Sequence, residues 1–95
     1  MTTVELRFSI ENPTPTLERL CAELGLILSA PATLASYPGA LHWHISKPKL
    51  SGTLEATWWP AKQRFWLKVA KNRDAEWIPL VIEEFGREFE RALEH

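Results

Sequence analysis

The sequence predicts a two-layer α+β sandwich in the order β-α-β-β-β-α, with a four-stranded, mainly antiparallel sheet and two helices on one face. Three observations lead there. Four segments alternate apolar and polar residues with the period of a strand, and two others repeat apolar residues at helical spacing. Each alternating segment has a single apolar face, so both helices must cover the same side. The chain's 95 residues suit one domain. That domain is expected over residues 1–92, because Leu93-Glu94-His95 reads as the remnant of an expression tag.

Val4, Leu6, Phe8 and Ile10 alternate with Glu5, Arg7 and Ser9 and predict the first strand, which Asn12-Pro13-Thr14-Pro15 stops. Thr14 as cap and Pro15 as first helical residue precede Leu17, Leu20, Cys21 and Leu24 at i, i+3, i+4 and i+7. Gly25 falls where a left-handed cap belongs, which gives a helix over about residues 15–24. Residues 26–40 carry Pro31 and Tyr37-Pro38-Gly39 and predict a packed loop, with at most a short strand at Leu26–Leu28.

Three strands follow, with Leu41, Trp43 and Ile45, then Leu54, Ala56 and Trp58, then Phe65, Leu67 and Val69 facing inward. Pro60–Gln63 reads as a four-residue hairpin loop, and its length sets residue 59 opposite 64, 57 opposite 66 and 55 opposite 68. All apolar pairs then share one face, and a one-residue slip would scramble them. The connection Lys47–Gly52 returns the chain antiparallel, placing His44 near Glu55 and His42 near Thr57. Asn72 or Asp74 is expected to start the last helix, with Pro79 breaking or kinking its first turn. Ile78, Ile82, Phe85, Phe89 and Ala92 form its apolar stripe. The core prediction is that Trp43, Trp58, Phe65, Leu67, Phe85 and Phe89 are buried together.

The opposite parity leaves Glu5, Arg7, His42, His44, Glu55, Thr57, Trp59, Arg64, Trp66 and Lys68 on the helix-free face. Two tryptophans there are unusual. Their local explanation is Trp66 leaning on Thr57 and Trp59 stacking on Arg64. Their functional explanation is an exposed interface. The second makes the chain a non-enzymatic binding or assembly module, with Trp59, Trp66, Arg64, Lys68, His42, His44 and Glu55 as candidate binding residues. A protein partner or a homodimer is then the expected occupant, and removing both tryptophans should spare the fold.

Residues 40–75 hold seven Lys/Arg against Glu55 and Asp74, a local charge of +5 in a chain of net charge −1. Aromatics on a basic sheet suggest single-stranded nucleic acid as an alternative, although turn solvation explains most of these lysines. The order α-β-β-β-α after the first strand resembles that of double-stranded RNA-binding domains in topology alone. Those domains meet phosphates with lysines at the start of the last helix, where this chain has Asp74-Ala75-Glu76.

His42-Trp43-His44 puts two imidazoles on one side of a strand, and Glu55 is a third ligand within reach, so a metal-dependent activity is a further alternative. Alternation alone accounts for both histidines, however, and the expectation is no bound metal. Gly25, Gly39, Gly52 and Gly86 are scattered and cradle no phosphate, Cys21 falls on an apolar stripe, and no nucleophilic triad is suggested. Neither a catalytic residue nor a cofactor is expected. A single cysteine and an alternating rather than continuously apolar start predict a cytoplasmic protein with no membrane span.

Overall fold

The computed structural model describes residues 2–6 and 12–93. It is an α+β sandwich: β1 (Thr2–Leu6), α1 (Thr14–Glu23), β2 (Ile27–Leu28), β3 (Ala32–Thr33), β4 (Leu41–Ser46), β5 (Leu54–Trp59), β6 (Arg64–Val69) and α2 (Trp77–Leu93). The sheet is antiparallel with order β1-β6-β5-β4-β2, and β3 also pairs with β4. It therefore has six strands, not four. Of the two additions, β2 falls within the short strand allowed at Leu26–Leu28, β3 lies in the stretch expected as loop, and both seal the outer edge of β4. The far half of the predicted first strand, with Arg7, Phe8 and Ile10, lies outside the described residues.

The strand registers are those the hairpin arithmetic demands. Trp59 pairs with Arg64, Thr57 with Trp66 and Glu55 with Lys68. Across β4 and β5, His42 pairs with Thr57 and His44 with Glu55. The tight turn is a single turn of 3-10 helix at Pro60–Lys62, closed by Gln63 in the left-handed region at φ 52°. One face of this sheet packs under both helices. Trp43, Ile45, Leu54, Ala56, Phe65, Leu67 and Val69 meet Leu17, Leu20 and Cys21 of α1 and Trp77, Ile78, Val81, Phe85 and Phe89 of α2. Phe65 and Phe89 meet edge to face at 5.2 Å. Trp58 departs from the predicted core: it is half-buried and packs against the cluster from its margin.

The helix ends show what local chemistry decides. α1 begins at Thr14, one residue early: Pro13 takes the N-cap position with no side-chain cap, and the Thr14 N–H donates to Asn12 Oδ1 at 2.9 Å in an Asx turn that leads the chain into the helix. At the other end Gly25 takes φ +69°, its N–H donates to Ala22 O, and the Leu26 N–H donates to Cys21 O at 2.8 Å. That pair of bonds is a Schellman cap, as the glycine forecast. α2 starts at Trp77, later than Asn72 or Asp74, after a 3-10 turn at Lys71–Arg73. Pro79 then lies in the first turn, where its missing N–H has no acceptor to lose, so the expected break before it is simply the helix start.

Gly52 fixes how the β4–β5 connection meets α2. It sits at φ +100°, and a Cβ there would lie 2.6 Å from the Ala75 Cβ and 3.1 Å from the Arg73 carbonyl oxygen. Its neighbours hold the contact: the Thr53 N–H donates to Arg73 O at 2.9 Å, and the Trp77 indole N–H donates to Ser51 O at 2.8 Å. Gly52→Ala is expected to cost about 2–3 kcal/mol, from positive φ and overlap together. Chemical denaturation would measure it, and an unchanged midpoint would contradict this packing.

Candidate site on the helix-free face

Period-2 alternation sends Glu5, His42, His44, Glu55, Thr57, Trp59, Arg64, Trp66 and Lys68 away from the helices, and the register sets them side by side. The face is not open, however. Tyr37-Pro38-Gly39 forms a turn in which the Ala40 N–H donates to Tyr37 O at 3.0 Å and Gly39 takes φ +84°. Proline followed by a positive-φ glycine is the chemistry of a type II turn. The turn lays the Tyr37 ring over the sheet, edge-on to Trp59 at 5.0 Å and to Trp66 at 5.2 Å. The Trp59 indole N–H donates to Pro38 O at 3.1 Å.

This overturns the expected exposure of the two tryptophans. Trp66 is only 7% exposed and Trp59 is half-buried. The guanidinium also stacks differently from the local explanation: Arg64 lies over Trp66, 4.6 Å from the ring centre, while pairing with Glu5. Tyr37 is the residue that sequence reasoning missed. Two outward tryptophans followed by no obvious cover, with a Tyr-Pro-Gly turn just before β4, were the available signal.

Beneath Tyr37 lies a cavity of about 340 Å³. Its walls include Thr3, Leu34, Ser36, Tyr37, His42, Glu55, Thr57, Arg64, Trp66 and Lys68. Six candidate residues therefore belong to one region, five of them (His42, Glu55, Arg64, Trp66 and Lys68) lining the cavity directly and Trp59 bracing its Tyr37 wall. His44, whose ring is exposed, sits beyond the wall next to His42, with ring centres 5.2 Å apart.

The polar floor is connected. His42 Nδ1 and Thr57 Oγ1 lie 2.8 Å apart, and His42 Nε2 lies 3.1 Å from Glu55 Oε1. In the Nε2–H tautomer, the imidazole donates to Glu55 and the Thr57 hydroxyl donates to Nδ1. Burial pushes the His42 pKa below the ordinary histidine value; Glu55 opposes this, while His44 and Lys68 add to it. Lys68 is half-buried and forms no ion pair among the described residues, unlike Arg64.

No protein-family model matches the chain, and no curated protein or solved structure matches it either. No helix among the described residues is long and apolar enough to cross a membrane.

Proposed function

We propose that the chain is a small non-enzymatic binding module, and that its ligand is a small anion with an apolar or aromatic part, held under Tyr37. The observation that carries this reading is Lys68, a half-buried ammonium without an ion pair among the described residues, beside an aromatic wall in a cavity of about 340 Å³. Ligand cavities typically combine apolar walls with a few converging polar groups. A bound anion offsets the desolvation of such a cation and fixes the ligand's orientation. Arg64 is less available, since Glu5 already neutralises it.

The covered tryptophans favour this occupant over a protein partner or a homodimer. An apolar partner gains affinity from the area it removes from water, and Tyr37 and Pro38 have already removed much of it. Single-stranded nucleic acid is disfavoured for a related reason: base stacking needs a free ring face, and Trp66 lies between Tyr37 and Arg64. A cytoplasmic setting goes with this reading, supported by the single thiol of Cys21, which burial pushes up to about 11 and keeps unreactive.

Tryptophan fluorescence tests the reading. Benzoate and inorganic phosphate are titrated at constant ionic strength with EDTA present. Benzoate is expected to give a saturable change, and Lys68→Met to weaken it at least about 10-fold, or about 1.4 kcal/mol. No saturable change with either anion, or equal binding by Lys68→Met, would sink the small-anion reading. A concentration-dependent dimer in the ultracentrifuge, lost in a variant of this face, would favour assembly instead.

A further inference from the structure

We propose that His42, His44 and Glu55 form a binding site for a divalent first-row transition cation, with zinc as the representative ion. One ligand atom from each residue lies within 4.8 Å of the other two. His42 Nε2 and Glu55 Oε1 are already 3.1 Å apart. A tetrahedron built on metal–ligand bonds of 2.0–2.1 Å has an edge of about 3.3 Å, so this pair stands near coordinating separation. His44 brings a third ligand atom within 4.8 Å of these two. Its ring is exposed, while its backbone is pinned to the sheet edge by Ser29, whose Oγ accepts the His44 N–H at 2.9 Å and whose own N–H donates to His44 O at 3.0 Å.

The strand geometry explains why these three converge. His42 and His44 share a face at i and i+2, Glu55 lies directly across from His44, and its side chain reaches diagonally to His42. Two imidazoles and a carboxylate suit zinc or its neighbours better than magnesium or calcium.

Thr57 supplies the feature that separates this cluster from a chance pair of surface histidines. Metal-bound imidazoles generally donate their other ring N–H to a fixed acceptor, which sets the tautomer. Thr57 Oγ1, buried and 2.8 Å from His42 Nδ1, is placed to accept that proton. Binding would move the neutral ring from its Nε2–H to its Nδ1–H tautomer. The Nε2 lone pair then faces the cation where it faced Glu55 through a proton, and the hydroxyl turns from donor to acceptor. Lys68 lines the same cavity as His42 and Glu55, where it repels a bare cation but favours an anion that completes the coordination sphere. The proposal does not depend on the anion reading, whose test is run in EDTA.

The experiment is calorimetric titration of the full chain with zinc chloride, with folding of every variant checked by circular dichroism. One-to-one binding is expected. His44→Gln and Glu55→Gln should each weaken it at least about 10-fold, Thr57→Val about 10- to 100-fold, and His95→Gln not at all. Cobalt(II) in place of zinc should give the intense visible bands of a four-coordinate site, absent from His44→Gln. Should Glu55→Gln fail to fold, His44→Gln alone decides, since its ring is exposed and lies outside the hydrophobic core. Absence of saturable heat in the parent, or unchanged affinity in His44→Gln, would overturn the proposal.

Discussion

Phe85→Ala is expected to destabilise the protein by about 3–5 kcal/mol, a large share of the 5–15 kcal/mol that holds a small domain together. Phe85 is 0% exposed and lies on the α2 stripe between Ile78 and Phe89, against strands that contribute Phe65, Leu67 and Val69. Truncation loses both the transfer free energy of the ring and the contacts around the void, because a sheet and a helix cannot close over so large a gap. The denaturant midpoint should fall while the m-value stays constant. An unaffected melting temperature would mean that α2 does not cover the sheet.

Trp66→Ala is expected to cost a comparable 3–5 kcal/mol, although this side chain points away from the helices. Its ring fills the space between Arg64 and Tyr37 and is only 7% exposed. The outward parity of residue 66 alone would make it dispensable, with fold retained after removal. Tyr37→Ala should act in the same direction, and the two changes should couple by about 0.5–1.5 kcal/mol in a double-mutant cycle, as edge-to-face aromatic pairs do. A Trp66→Ala variant as stable as the parent would return this face to the status of an open surface.

The parts of the fold legible in the sequence are those where a period or a turn length dictates geometry. Alternation through residues 41–45, 54–59 and 64–69 assigned faces, and the Pro60–Gln63 loop fixed the pairings that bring His42 and His44 to Thr57 and Glu55. Gly25 marked the end of α1 because few other residues adopt φ +69° at no steric cost. Two-residue strands have no period to read: the sequence allowed a short strand around Ile27–Leu28 but gave no sign of Ala32–Thr33, and both form against the edge of β4. α2 starts later than the capping residues Asn72 and Asp74 predict, because Asp74 stays extended, its carboxylate accepting the Ala75 N–H at 2.9 Å.

The candidate site was half legible for the same reason. Parity and register place the polar residues together, but the cavity exists only because Tyr37 crosses the sheet. That contact joins residues far apart in sequence and leaves no local trace beyond a Tyr-Pro-Gly turn. With Tyr37 absent, the same side chains would line a flat, wet surface.

The roof over this face is the central claim, and nuclear Overhauser contacts from the Tyr37 ring test it most directly. The account predicts cross-peaks from that ring to the indole protons of both Trp59 and Trp66, together with a Trp66 indole protected from quenching by acrylamide. A Tyr37 ring that shows contacts to neither tryptophan, with Trp66 freely quenched, would contradict it.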